Sequence, residues 1–274
     1  MKAPLSVVIL ARNEAINIEA CVRAVNWCDD VVVIDDASTD GTDRLAIAAG
    51  ARVVQHPFRS FADQRNWAME QADLRHEWVL HLDADEVVTE SLQRLIEETL
   101  SATAADTVAF RMCRKTIFQG TWLKFSDGFP VWIMRLVRRG KACFVDCGHG
   151  ELAVPPVEGT MGTITEPFLH FSFSKGLEDW IARHNRYTTR EALLEHQLLQ
   201  QVKWGELLSS DRAIRRTALR TLSRRLPLRP LLRFLYQYVL KRGFLDGSAG
   251  FTFCRLMATY EGWIVLKRKE LERL

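Results

Sequence analysis

Short runs of consecutive apolar residues alternate with amphipathic segments through the first third of the chain. The run at 5–10 is too apolar for a strand with one exposed face, which is typical of a strand buried on both faces. The runs at 31–34 and 78–82 predict two further strands. Between them, apolar side chains recur at helical spacing, as at 16–25 and 92–100. This alternation predicts an α/β domain with a mainly parallel sheet and helices on both faces.

The pattern changes after about residue 105. Residues 108–112 and 133–137 predict two further strands, and the stretch 114–132 between them, which contains Gly and Pro, predicts a loop over a site. From about residue 177 onward the pattern is helical. We therefore expect one α/β domain over residues 1–175 and a helical extension over 176–274.

Polar residues directly follow three of the predicted strands: Asn13-Glu14, Asp35-Asp36 and Asp83-Ala84-Asp85. In a parallel sheet the carboxyl ends of the strands lie at one edge, and ligands bind there. Two carboxylates at positions i and i+2 can approach one hard cation, and Mg²⁺ and Mn²⁺ prefer such oxygen ligands. An isolated Asp-x-Asp is as often a solvated turn, but three acidic strand ends at one edge favour a functional site.

Composition is that of an ordinary globular protein, with 47% hydrophobic and 26% charged residues in 274. No apolar run is long enough to span a membrane, and the first apolar run is too short for a signal peptide. We expect a cytoplasmic protein. The charge is uneven: residues 201–245 hold 11 Lys and Arg and two acids, a net +9, against +3 for the whole chain.

The arginines of this basic segment recur at three- and four-residue intervals beside leucines, as in an amphipathic helix. Such a helix can dock on an anionic membrane surface, which predicts a peripheral position on the inner face of the cytoplasmic membrane. The alternative is a helix packed on the α/β domain with its arginines in solvent. Because the chain has no zinc-finger spacing and no aromatic RNA-binding motif, we expect no nucleic-acid partner.

Four motifs in register resemble glycosyltransferase family 2; they are the runs 6–14, 33–42, 64–66 and 82–86. Four later segments are similar to the bacterial subgroup that includes lipopolysaccharide inner-core β-glucosyltransferases: 132–139, 149–151, 185–189 and 243–247. The resemblance implies a GT-A fold with a nucleotide-binding half over about 1–105 and an acceptor half over about 106–175. It also implies an inverting sugar transfer from a nucleotide sugar, a UDP-sugar for preference, to a cell-envelope glycan or glycolipid.

Carried over residue by residue, the resemblance implies a donor site along the acidic strand ends. Ala11, Asn13 and Glu14 would lie near the nucleoside, and Asp35 would accept the uracil N–H. Arg65 would lie near the diphosphate, Asp83 would contact ribose or metal, and Asp85 would ligate Mg²⁺ or Mn²⁺. Arg135 would hold a phosphate group if it is not on an exposed strand face, and His149 would orient Glu151 or bind donor phosphate.

An inverting transfer also needs a general base for the acceptor hydroxyl. Asp127 and Glu151 are the two candidates, and a loop carboxylate in water is the alternative for each. Two other functions stay open at the level of the sequence. A sugar nucleotidyltransferase could share the sheet and the acidic site, and a membrane-associated scaffold could keep the fold without catalysis.

Overall fold

The computed structural model describes residues 2–147, 150–154, 159–201 and 204–273. By its internal contacts the chain divides into two compact units. The first unit is Met1–Trp122 with Phe129–Lys175, and the second is Leu123–Gly128 with Gly176–Leu274. The segment Leu123–Gly128 therefore belongs to the second unit, and the residues directly before and after it in sequence belong to the first.

Twelve strands are described, all of them in the first unit. They are β1 Ala3–Ala11, β2 Cys28–Asp35, β3 Arg52–Gln55, β4 Trp78–Asp83, β5 Glu86–Val87, β6 Thr107–Phe118, β7 Thr121–Trp122, β8 Val131–Arg138, β9 Cys143–Cys147, β10 Gly150–Val154, β11 Thr160–Thr163 and β12 Phe168–His170.

The main sheet has the order β3-β2-β1-β4-β8-β6-β12-β5, and β7 and β11 pair with β6. The strands β3, β2, β1 and β4 are mutually parallel, whereas β8 runs antiparallel to both β4 and β6. The strands β9 and β10 form a separate antiparallel pair. The central strand β1 is paired on both sides, so its carboxyl end lies between those of β2 and β4.

Helices of the first unit cover both faces of this sheet; they are α1 Ile18–Arg23, α2 Thr42–Ala48, α3 Phe61–Gln71 and α4 Glu90–Ser101. One apolar cluster joins Val7 and Ile9 of β1 to α1 and α4, and another joins Val8 and Leu10 to α3. Successive side chains of a strand point to opposite faces, so a continuous apolar run supplies both clusters. The expected helices on both faces of a mainly parallel sheet are thus confirmed.

Two helices of the first unit begin where their sequences favour it. The Ser60 hydroxyl accepts a hydrogen bond from the Asp63 amide (3.1 Å) ahead of α3. The Thr89 hydroxyl accepts one from the Leu92 amide (3.2 Å) ahead of α4. Each cap satisfies an amide that the helix itself leaves unpaired.

The second unit is helical; its α-helices are α5 Gly176–Gln201, α6 Arg212–Leu222, α7 Arg229–Leu235 and α8 Gly247–Leu271. A π-helical turn, Tyr236–Leu240, continues α7, and a 3-10 turn, Gly243–Asp246, precedes α8. Helix α8 packs along both α5 and α7.

The prediction of a loop over 114–132 is wrong for its first part. Strand β6 continues to Phe118 and then turns into β7, pairing Phe118 with Thr121. The central turn residues Gln119 and Gly120 both have positive φ, which suits a tight hairpin. Farther along the chain, the short strands β11 and β12 both run parallel to β6.

Candidate active site

The carboxyl ends of β1, β2 and β4 lie side by side at one edge of the sheet. The Asp36 amide donates to the Ala11 carbonyl (3.0 Å), and the Ala84 amide donates to the Leu10 carbonyl (3.2 Å). These bonds continue the two ladders just past the strands. The structure thus brings together the three polar strand ends, which are Asn13-Glu14, Asp35-Asp36 and Asp83-Ala84-Asp85.

Asp35 is buried at the end of β2 and organises the turn that follows it. One carboxylate oxygen accepts from the Ser38 hydroxyl, and the other accepts from the Ser38 amide (3.0 Å) and from Gln55 Nε2 (2.9 Å). A carboxylate has about four acceptor positions, and three are used here by the protein. The residue expected to read the base is therefore also a structural anchor of its own loop.

The loop after β1 interlocks with the turn after β2. The Thr39 amide donates to Asn13 Oδ1 (2.8 Å), and the Asn13 amide donates to the Ser38 hydroxyl (2.8 Å). The Glu14 amide donates to the Thr42 hydroxyl (2.7 Å). Asn13 has φ of 52°, a left-handed conformation in which Asn is enriched several-fold over most residues. Asn13 thus helps to hold two strand ends in a fixed relation.

Lys175, which the sequence did not single out, pairs with Glu14. Its Nζ lies 2.5 Å from Glu14 Oε1, and the other carboxylate oxygen accepts from Asn17 Nδ2 (2.7 Å). Burial raises the pKa of Glu14, while the hydrogen bonds from Lys175 and Asn17 act in the opposite direction. The end of the first unit is thereby tied to the loop after its first strand.

Two buried arginines hold Asp83. Arg65 of α3 donates to Asp83 Oδ1 (2.7 Å), and Arg135 of β8 donates to Oδ2 (2.9 Å). Arg65 is only 1% exposed, which excludes a solvated helix face for it. Burial alone would raise the pKa of Asp83, but the charges of Arg135 and Arg65 outweigh it and hold that pKa well below its usual range. Asp83 is therefore an anion whose two oxygens face guanidinium groups.

Glu86, which the sequence did not assign a role, completes this cluster. Its Oε1 lies 2.6 Å from Arg135, and its Oε2 accepts from the Asp83 amide (2.9 Å). Burial raises the pKa of Glu86, against the attraction of Arg135, and the nearby Asp83 charge adds to the rise. Arg135 is buried between two acids, so the alternative of an exposed strand face is wrong for it.

Asp85 lies beside His170, with 3.7 Å between Asp85 Oδ2 and His170 Nε2. Strand β12 pairs with β5 so that His170 is opposite Glu86, and the Phe171 amide donates to the Asp85 carbonyl (2.8 Å). In the sequence, a single histidine after Pro167-Phe168-Leu169 gives no signal of a distant carboxylate.

The acidic edge fits a divalent cation that is shared with a substrate. Within the described ranges no group of three or more His, Cys, Asp or Glu side chains is arranged to hold a metal ion. Mg²⁺ sites typically use one or two carboxylates and complete their shell with substrate phosphates and water. Asp85 supplies one such carboxylate, with His170 beside it, and Asp83 is hydrogen-bonded to the two arginines.

The two candidate bases lie in different parts of the chain. Asp127 belongs to the second unit and lines a polar cavity of about 190 Å³ with Arg233, Tyr236 and Lys241. Glu151 lies on β10 opposite Asp146, but its side chain is outside the described residues. His149 also lies outside them.

Comparison with known proteins identifies the family. The model of glycosyl transferase family 2 matches residues 6–149. The lipopolysaccharide core biosynthesis glycosyltransferase LpsC of Rhizobium meliloti is 31% identical over 197 residues, which cover 70% of this chain and 71% of LpsC. An uncharacterised glycosyltransferase of Rickettsia bellii is 37% identical over 94 residues, 34% of this chain and 31% of that protein.

Solved structures of glucosyl-3-phosphoglycerate synthase from Mycobacterium tuberculosis are also similar. The complex with Mn²⁺, UDP and glucosyl-3-phosphoglycerate is 27% identical, with a TM-score of 0.33, over 42% of this chain and 44% of that chain. The complex with Mg²⁺ and UDP is 18% identical, with a TM-score of 0.45, over 69% and 77%. The chain thus spans less than half of the first of these structures and about a third of the Rickettsia relative.

The family match covers more than half of the chain, and the similarity to LpsC covers more than two thirds of it. Both agree with the acidic edge of a mainly parallel sheet. The chain belongs to glycosyl transferase family 2 and has the GT-A fold.

Proposed function

We propose that this protein is an inverting glycosyltransferase that moves a sugar from a UDP-sugar to a cell-envelope glycan or glycolipid. The observation that carries the proposal is the gathering of Glu14, Asp35, Asp83 and Asp85 at one sheet edge, above buried Arg65 and Arg135. The similarity to LpsC, a lipopolysaccharide core glycosyltransferase, supports the acceptor class.

The donor nucleoside would lie over the interlocked loops after β1 and β2. Asn13 and Ser38 fix these loops to each other, so the backbone at Ala11 and the Asp35 carboxylate are held before the donor arrives. Such preorganisation lowers the entropic cost of binding. Asp35 would offer its remaining acceptor position to the uracil N–H.

Asp85 and His170 would hold Mg²⁺ or Mn²⁺ together with the donor diphosphate, and Asp83 would contact ribose or metal. The cation would stabilise the negative charge that develops on the departing diphosphate. Arg65 and Arg135 keep Asp83 ionised and in place, because both guanidinium groups hydrogen-bond to it. Their positive charges also lie close to where the diphosphate would be bound.

The acceptor hydroxyl would lose its proton to Asp127 or to Glu151. Asp127→Asn and Glu151→Gln keep the size of each side chain and remove its basicity. The variant of the true base should lose sugar transfer by about a hundredfold or more while still binding UDP. A variant that keeps most of its turnover removes that residue from the role.

Calorimetric titration of UDP, with and without Mn²⁺, tests the donor site. We expect wild-type protein to bind UDP more tightly when Mn²⁺ is present, and Asp85→Asn to lose this dependence. Glu97→Gln, an exposed position on α4, is the control and should behave as wild type. Absence of UDP binding in both conditions would contradict a UDP-sugar donor. Release of pyrophosphate instead of UDP during turnover would support a nucleotidyltransferase.

A further inference from the structure

The segment from α7 to the start of α8 exposes several large apolar side chains. Along α7 and the π-helical turn, exposed side chains come in three successive pairs: Leu231 and Leu232, Leu235 and Tyr236, Val239 and Leu240. Each is between 43% and 74% exposed. We call these six residues the apolar ridge. A contiguous exposed apolar surface marks an interaction site more often than chance.

The opposite side of the same helix is already packed. Phe234 stacks on Tyr238 with ring centres 5.2 Å apart, and both rings make edge-to-face contacts with Phe251 of α8. The apolar ridge is therefore not the face by which α7 joins its own unit.

The π-helical turn keeps the pairs in line. In an α-helix, positions four residues apart drift by about 40° around the axis, so such a stripe would wind away. The Lys241 amide donates to the Tyr236 carbonyl (2.8 Å), an i to i+5 bond that makes the turn wider. The wider turn offsets part of the drift, and a continuous ridge results.

The sequence segment that carries the ridge is strongly basic, and two acids of the neighbouring helices, Glu195 and Glu261, pair with its Arg229. The sequence from 212 to 245 has ten Lys and Arg residues and no Asp or Glu. Arg229 is held inside the unit by Glu195 (2.8 Å), but Arg225, Lys241 and Arg242 are exposed. A second copy of the chain would bring like charges together, which disfavours a dimer through this surface.

We propose that the apolar ridge docks on an anionic lipid bilayer. Its side chains would enter the boundary between headgroups and acyl chains, and the neighbouring bases would meet lipid phosphates. A groove of about 470 Å³ beside the ridge, lined by Leu231, Phe234, Trp263 and Leu266, adds apolar surface that acyl chains can cover. Throughout the part of the chain that the structure describes, no helix is long and apolar enough to cross a membrane.

Vesicle flotation tests the ridge with full-length protein and without donor or acceptor, so failure of the proposed sugar transfer would not affect it. Wild-type protein should float with phosphatidylcholine vesicles that contain phosphatidylglycerol, and less so at high salt. Leu240→Glu should lower the bound fraction about tenfold, because it places an anion at the lipid boundary. Ile47→Glu, on α2 of the first unit and 59% exposed, is the matched control and should bind as wild type.

A second pair of variants tests the charge. Arg225→Glu should weaken binding about fivefold or more, since each base near such a surface contributes to attraction. Arg94→Glu on α4 should have little effect. Wild-type protein that stays with the soluble fraction, or Leu240→Glu and Arg225→Glu that float like wild type, would overturn the proposal. A wild-type dimer that Leu240→Glu converts to monomer, without lipid binding by either, would also overturn it.

Discussion

Arg135 is buried at the candidate active site and contacts two acidic side chains. These are Asp83 and Glu86: the Glu86 side chain is 1% exposed, while that of Asp83 is 33% exposed and also pairs with Arg65. Removing one partner of a buried ion pair is costly because the other charge is left uncompensated.

We therefore expect Arg135→Met to lower the free energy of unfolding by about 3–5 kcal/mol. Arg138→Met is the control on the same strand: Arg138 lies 3.6 Å from the exposed Glu77 and donates to the Ala105 carbonyl (2.9 Å), and loss of both contacts should cost about 1–2 kcal/mol. Urea denaturation measures both. Equal losses in the two single variants would contradict this account.

Asp30 should make the stability of the fold depend on pH in the acidic range. The buried carboxylate accepts from the Ser6 hydroxyl (2.8 Å), the Arg52 guanidinium (2.9 Å) and the Arg75 amide (3.0 Å). Burial alone would raise the pKa of Asp30, but these partners together lower it. A carboxyl group with a folded-state pKa below its unfolded value of about 3.9 stabilises the fold above that pH and loses this contribution as the pH falls.

The stability advantage of wild type over Asp30→Asn should therefore be full near neutral pH. It should shrink as the pH drops below about 4. Chemical denaturation at several pH values measures the difference between the two proteins. A difference that stays constant or grows on acidification would contradict the assignment.

Single residues were predictable where their signal was local. Asn13, Asp35 and Asp83 follow apolar runs directly, so their place at the sheet edge could be inferred from the sequence. The burial of Arg65 and Arg135 could not, because their common partner Asp83 is 18 and 52 positions away. The same holds for Lys175 and His170, whose acidic neighbours Glu14 and Asp85 are far away in the chain.

Among the secondary-structure elements, the strands that coincide with continuous apolar runs were the most predictable. Strands β1, β2 and β4 match the apolar runs of the sequence closely. The end of β6 was missed because Arg114 and Lys115 obscured the alternation that continues to the buried Phe118. Gln119-Gly120 gave a usable hairpin signal, since glycine readily takes the positive φ that such a turn needs.

The start of α8 packs closely against the preceding 3-10 turn at Gly250. A Cβ atom at Gly250 would lie 2.7 Å from Asp246 Cβ and closer still to the Gly243 carbonyl. We expect Gly250→Ala to lower the free energy of unfolding by about 1–3 kcal/mol through overpacking.

Gly262→Ala on the same helix is the control. Its new Cβ would meet Pro230 at 3.6 Å, an ordinary contact, so the better helix propensity of alanine should stabilise by about 0.5–1 kcal/mol. Thermal or urea denaturation measures both variants. Effects of the same sign would contradict the packing described for α8.

At the scale of the whole molecule, the Asp246 carboxylate helps to join the segment Leu123–Gly128 to the rest of the helical unit. Asp246 accepts hydrogen bonds from the Phe125 amide (3.0 Å), the Ser126 amide (2.7 Å) and the Ser126 hydroxyl (2.7 Å). Gln237 Nε2 adds a bond to the Ser126 carbonyl (3.1 Å). Asp127, a candidate base, is part of this anchored segment.

Asp246→Ala should release the segment. Amide hydrogen exchange at Phe125 and Ser126 should become faster by about tenfold or more, because a charge-assisted acceptor is lost. Asp211→Ala, which removes the cap of α6, should leave these two amides unchanged. Exchange followed by mass spectrometry measures both variants. Unchanged protection at Phe125 and Ser126 in Asp246→Ala would show that other contacts hold the segment.

A composition pattern read along the chain divides it at one place, near residue 175. Such a pattern does not reveal that residues 123–128 pack with the helical unit, because their main partner, Asp246, lies about 120 positions later in the chain. The α/β part and the helical part could therefore be predicted from the sequence, whereas the assignment of 123–128 to the helical unit could not.

Because segment 123–128 belongs to the helical unit, it constrains how hybrid proteins could be built from this protein and a relative. Replacing everything after Lys175 would supply a foreign partner for the native segment 123–128, and the match between that segment and Asp246 would be left to chance. A hybrid that respects the unit boundaries needs three junctions, at Trp122, at Phe129 and at Lys175. Recombination between relatives is subject to the same requirement, so 123–128 and the helical unit are expected to be inherited together.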